Sequence, residues 1–205
     1  MRRKKGSSSS SRTKSRAVTS SSRPSARDLE AARTKTLRDV IAPGLKVLFC
    51  GINPGLYSAA TGNHFARPGN RFWPALHAAG FTPRLLHPSE KELLLQLGYG
   101  LTNLVRRTTA GADELAPAEF VAGQARLARK LRRYRPRFVA FLGLGAYRHA
   151  FGAAHASLGE QPRRFEGARV WVLPSPSGLN ASYPMTDLVR RLRQLRRQVH
   201  GREGC

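Results

Sequence analysis

The chain reads as an α/β protein: a three-layer α/β/α sandwich around a mainly parallel sheet. Three observations lead there. Short apolar runs bounded by proline or glycine recur at 46–51, 137–142 and 170–173. Segments with apolar residues at helical spacing lie between and after them, the clearest being Pro117–Tyr134. The two kinds alternate from Val40 onward, the pattern that joins parallel strands through crossover helices.

Each element has its own local reason. Residues 46–51 form a strand that stops at Gly51-Ile52-Asn53-Pro54-Gly55, a sharp turn that glycine permits and Pro54 stiffens. Residues 70–79 read as a helix, and 90–97 as a short one after Pro88-Ser89. Over Pro117–Tyr134, Phe120, Leu127, Leu131 and Tyr134 share one face. The strand at 137–142 is entered by Pro136 and closed by Gly143; a short helix follows at 146–151. The strand at 170–173 ends at Pro174. The last helix starts near Pro184, where proline is tolerated, with Leu188, Leu192, Leu195 and Val199 as its apolar stripe and arginines on its other faces. No internal repeat, heptad, Walker loop or dinucleotide fingerprint is present.

Composition restricts the function classes. The chain has 205 residues and a net charge of +24, from 36 basic and 12 acidic side chains. Such an excess makes nucleic acid the expected partner, ahead of a membrane surface. Residues 1–38 are expected to be a disordered tail, with a serine run and 12 basic against 2 acidic residues. It suits a non-specific DNA-holding arm or a transit peptide; it has no apolar core for a secretory signal. Residues 39–200 then form the folded domain and 201–205 a short C-terminal tail. Cys50 and Cys205 are the only cysteines, too few for a disulfide framework or an iron–sulfur cluster, and they fit a reducing compartment. The six histidines show no zinc-ligand spacing, so no metal or cofactor is expected, and no apolar run is long enough for a membrane helix.

Ligands of open α/β sheets sit beyond the carboxyl ends of the strands. Four loops should gather there: 51–56, the long irregular stretch 57–70, the Thr108-Thr109-Ala110-Gly111-Ala112-Asp113-Glu114 segment, and Pro174-Ser175-Pro176-Ser177-Gly178-Leu179-Asn180. Asn53 is the amide delivered by the first. Phe65 lies among polar residues in the second, which suits a stacking platform for a flat base. Leu179 sits on a stiff polar loop with no obvious core to join, as apolar wedges of base-extruding proteins do. The Gly143-Leu144-Gly145 turn reads as a tight strand-to-helix connection rather than a phosphate site.

Four fragments in order carry a resemblance: Gly51-Ile52-Asn53-Pro54-Gly55-Leu56; Phe65-Ala66-x-Pro68-x-Asn70-Arg71-Phe72-Trp73; Gly100-Leu101-Thr102-Asn103-Leu104-Val105; and Pro174-x-Pro176-Ser177-Gly178-Leu179. Together they resemble the mismatch-specific uracil-DNA glycosylase and thymine-DNA glycosylase family, over residues 42–197. The resemblance implies a uracil-DNA glycosylase-like fold acting on double-stranded DNA that contains uracil or a mismatched pyrimidine. It implies that Asn53 positions the attacking water and that Ile52 and Phe65 form the pocket, Phe65 stacking on the flipped base. It also implies that Leu179 fills the gap while Gly178 faces the widowed partner base. Tyr57, beside Ser58 at the pocket mouth, replaces a small residue of the family; Ser175 stands where Asn or Met is common, and Ala181 where an arginine is common.

An amide cannot deprotonate water, so Asn53 implies catalysis by positioning. Backbone amides of the 52–55 turn are candidate donors to the departing base. Asp113 is the candidate carboxylate, either stabilising the cationic sugar or accepting a proton; it could equally serve only to complement a helix dipole. No lysine stands in these loops, so the expected enzyme is monofunctional and leaves an abasic site, working as a monomer. Arg67, Arg71, Arg106 and Arg107 are expected to grip phosphates.

Overall fold

The computed structural model describes residues 23–180 and 182–201. The expectations for the rest of the N-terminal arm, for Ala181 and for residues 202–205 with Cys205 lie outside the described residues.

Five strands, β1 (Val47–Gly51), β2 (Tyr99–Asn103), β3 (Phe138–Leu142), β4 (Gly159–Glu160) and β5 (Arg169–Leu173), make one sheet in the order β2-β1-β3-β5-β4. All pair in parallel except β4, a two-residue antiparallel edge on β5. Alternation along the buried strands divides the core. Val47, Phe49, Phe138, Ala140, Trp171 and Leu173 face one apolar layer; Leu48, Cys50, Val139, Phe141, Val170 and Val172 face the other. A parallel sheet covered on both faces produces this continuous apolar reading.

Seven α-helices are described: α1 (Ala26–Ala31), α2 (Leu56–Thr61), α3 (Phe72–Ala78), α4 (Leu93–Gln96), α5 (Pro117–Tyr134), α6 (Leu144–Phe151) and α7 (Met185–His200). α3 and α7 cover the first layer: Leu76, Leu188, Leu192 and Leu195 pack there. α5 and α6 cover the second through Leu127, Leu131, Ala146 and Tyr147. No described helix is long and apolar enough to cross a membrane.

The structure adds two strands, β2 and β4, to the three apolar runs read as strands, and it differs further in two segments. Residues 57–70 are not wholly irregular, because Leu56–Thr61 form α2, closed by Gly62 in the left-handed conformation. Nor are residues 23–38 structureless. Ser25 caps α1 through a reciprocal box with Asp28, and Ala32 is fully buried in the turn that follows. The segment is tied down by Thr108, whose hydroxyl donates to the Lys35 carbonyl at 2.6 Å, and by His64 Nε2 on the Arg38 carbonyl at 2.9 Å. Its charge hid this, because ordering comes from backbone carbonyls and one alanine rather than from an apolar stripe.

From β1 the chain passes to β2 on one side, then returns across to β3 on the other. The order of strands therefore reverses around β1, and an open sheet leaves a crevice at such a point.

Candidate active site

A cleft of about 760 Å³ opens at the carboxyl ends of the strands. Ile52 and Asn53 enter it from the end of β1, Asn103 from β2, Leu142 from β3 and Ser175 from beyond β5. Tyr57, Ser58, Phe65, Asp113 and Leu179 also line it. Asn53 and Phe65 thus share one cavity, and the four expected loops do gather. Gly178 does not line it.

Asn53 is held by its nitrogen. Nδ2 donates to Thr109 Oγ1 at 2.6 Å and to the Arg107 carbonyl at 3.0 Å. The Thr109 hydroxyl in turn donates to the Gly111 carbonyl at 2.7 Å, so its oxygen is available as the acceptor for Asn53. With both amide hydrogens committed, the carboxamide offers its oxygen, an acceptor that can orient a water through the water's own O–H. Thr109 was legible only as a loop residue; its role needed the bridge that sets Gly55 beside Thr109.

Phe65 has φ of 54°, an uncommon conformation for a bulky residue. It stacks on Phe72, with ring centroids 4.2 Å apart and planes 26° from parallel. Gly51 makes this possible: a Cβ there would lie 3.2 Å from Phe65 Cζ and 2.6 Å from Asn103 Oδ1. The missing side chain lets an aromatic ring and a carboxamide meet over the end of β1. Asn103 is a site residue that sequence reasoning did not single out; its signal was an asparagine closing an apolar strand.

Ile52 packs over Gly143, whose φ of 143° and lack of Cβ leave room for the isoleucine tip. Ser58 is buried, and its hydroxyl accepts from the Ala66 amide at 3.2 Å, bracing the backbone next to Phe65. Tyr57 is half-buried at the cleft wall. Asp113 is exposed, in the short 3-10 turn Ala112–Glu114. His64, buried beneath Phe65, has its pKa pushed down to about 4 because burial opposes the charged ring. It is neutral near pH 7.

The leucine loop is rigid by construction. Leu179 is 73% exposed, while Asn180 Nδ2 donates to the Ser175 carbonyl at 3.2 Å and the Leu179 amide donates to Ser177 Oγ at 3.3 Å. Gly178 lies against the backbone of Gly69; a Cβ on it would come within 2.6 Å of that carbonyl oxygen.

Two of the four arginines expected to grip phosphates are occupied otherwise. Arg71 donates to the carbonyls of Ser177 (2.9 Å), Asn180 (3.0 Å) and Tyr183, fastening the leucine loop from across the chain. Arg107 forms a two-toothed pair with Glu119, both contacts 2.8 Å, and donates to the Glu114 carbonyl. That pairing holds the Glu119 carboxyl down to about 2. In a chain with few acids, the exposed turns at 107–119 still needed a cation to organise them. Arg67 and Arg106 remain exposed.

A carboxamide, a stacked ring and an exposed leucine around one crevice of a parallel sheet mark the cleft of an α/β enzyme. The comparisons agree with that class. The family model of the uracil DNA glycosylase superfamily matches residues 38–196. The chain belongs to this superfamily and is a DNA glycosylase, a hydrolase of N-glycosidic bonds. Among solved structures it is similar in fold to a solution NMR structure from Methanosarcina acetivorans, a protein provisionally named a uracil DNA glycosylase. The TM-score is 0.52 and the identity 20%, over 79% of this chain and 98% of that one.

Proposed function

We propose that this protein excises uracil, and related damaged or mismatched pyrimidines, from double-stranded DNA as a monofunctional, monomeric glycosylase. The observation that carries the reading is the meeting of Asn53 and Phe65 in one cleft with Leu179 exposed beside it. The target nucleotide leaves the stack, Leu179 fills the vacancy, and the base slides onto the Phe65 ring. Asn103 presents a carboxamide suited to the polar edge of a pyrimidine.

Hydrolysis breaks the C1′–N1 bond; the water oxygen bonds to C1′, and its proton passes to solvent or to the departing base. Charge develops as a cationic sugar and an anionic base. Asn53 Oδ1 holds the water on the face opposite the base. Asp113, at the cleft edge, stabilises the cationic sugar. Donors aimed at the leaving base contribute about 2.7–4 kcal/mol each in sites of this kind.

Uracil-containing duplex is incubated with the enzyme and then heated in alkali, which breaks the strand only at abasic sites. Cleavage by the wild type, a loss of at least a hundredfold in single-turnover rate for Asn53→Ala, and a partial loss for Asp113→Asn are expected. An intact duplex with wild type would overturn the substrate assignment. A wild-type rate in Asp113→Asn would remove that residue from the mechanism.

A further inference from the structure

A second cavity, about 470 Å³, adjoins the cleft. It shares Leu37, Pro54 and Asn103 with the first, so the two meet near the ends of β1 and β2. Its walls are strongly basic. Arg126, Arg129, Lys130 and Arg133 come from α5, at the spacing that places residues on one helix face. Arg38 and Arg106 also line it.

The one acid lining it, Asp39, is already used. It pairs with Lys130 at 2.5 Å and accepts from Thr102 Oγ1 at 2.7 Å. Among the described residues no carboxylate forms an ion pair with Arg38, Arg106, Arg126, Arg129 or Arg133. Arg126 Nε is buried with no hydrogen-bond partner, a donor that a native protein rarely leaves unmet. Glu119, held mainly by Arg107, offsets part of the Arg126 charge, but crowding guanidinium groups that have no carboxylate within ion-pair distance into one concavity still costs repulsion that an anionic occupant reverses.

We propose that this groove is a phosphate track, holding the backbone of the substrate DNA where it runs on from the cleft. The inference rests on the reading that duplex DNA is the substrate. Two features favour a nucleic-acid backbone over an isolated anion: basic residues repeated along one face of a helix, and the lining residues Leu37, Pro54 and Asn103 shared with the nucleobase cleft. The phosphates would take hydrogen bonds from Arg129 and Arg133, both exposed, with the charge of Arg126 beside them. The groove is separate from the leucine loop, none of whose residues line it.

The test measures affinity for an undamaged 30-bp duplex from 50 to 200 mM KCl, which needs no cleavage. The triple variant Arg126→Gln/Arg129→Gln/Arg133→Gln is compared with a control of equal charge loss, Arg163→Gln/Arg164→Gln/Arg197→Gln, taken from exposed positions outside the groove. Each phosphate contact contributes about 0.9 to the slope of log affinity against log salt. The groove triple should therefore lower the slope by about 2–3 and weaken binding at least tenfold at 150 mM, with the control changing much less. The double variant Arg129→Gln/Arg133→Gln, both exposed, covers the case in which Arg126 is needed for folding; its slope should fall by about 2. Restoring charge as Arg129→Lys/Arg133→Lys should recover most of the affinity. Equal effects in groove and control variants, or an unchanged slope, overturn the track. Failure of wild type to release uracil, with the groove result intact, would instead overturn the substrate assignment alone.

Discussion

The hold on Asn53 can be tested by removing a single hydroxyl. Thr109→Val keeps the shape of a buried β-branched side chain but deletes both the acceptor for Asn53 Nδ2 and the donor to the Gly111 carbonyl. Each lost hydrogen bond is worth about 0.5–1.5 kcal/mol, so stability should fall by about 1–3 kcal/mol. Catalysis should suffer separately. One amide hydrogen of Asn53 stays on the Arg107 carbonyl, but the other is left with only the long 3.4 Å contact to the Pro54 carbonyl, and the carboxamide can swing or reverse its nitrogen and oxygen. An orientation cost near 1.4 kcal/mol is about tenfold in rate. The assay is single-turnover cleavage of a uracil-containing duplex with the variant fully folded, beside its affinity for undamaged duplex. A tenfold drop in rate with unchanged affinity is expected, and Thr109→Ser should restore most of it. A wild-type rate in Thr109→Val would refute the claim that this hydroxyl sets the polarity of the amide.

Other outcomes follow from the same geometry. Leu179→Ala should change stability by less than about 0.5 kcal/mol, because the side chain is already in solvent; excision should fall at least tenfold on duplex and far less on single-stranded DNA, as compared in parallel time courses. Arg71→Met removes charged donors from three loop carbonyls and should cost about 2–4 kcal/mol while exposing the 176–183 segment to limited proteolysis. His64 titrates near 4 when folded and near 6.5 when unfolded. The unfolded state binds the extra proton between those values, so its contribution is full above pH 6.5 and is lost as the pH falls towards 4, ~3 kcal/mol in total. Urea melts at intervals from pH 7 to 4 should show that slope, flattened in His64→Gln.

Much of the frame was legible in the residues. The apolar run ending at Gly51 announced a buried strand, and β1 is Val47–Gly51. The α5 stripe and its Pro117 start gave bounds that the structure repeats. Leu179 was marked by its surroundings, since a leucine among Pro, Ser and Gly has no periodic partner. The N-terminal segment was not legible, because its order depends on carbonyls captured by Thr108 and His64. Arg71 and Arg107 were misassigned as phosphate grips for a related reason: charge says what a side chain can bind, and geometry says what reaches it first.

The amino-acid sequence by itself determined the alternation of strands and helices, the turn that delivers Asn53, and the cationic character that selects a polyanion. These are local properties, written in periodicity, turn chemistry and net charge. Tertiary structure alone decided that Asn103 and Phe65 meet over Gly51, that Arg71 serves the leucine loop, and that the arginines of α5 face Arg38 and Arg106. Those depend on approaches of a few ångströms between segments tens to more than a hundred residues apart, and the strand order of the sheet sets them.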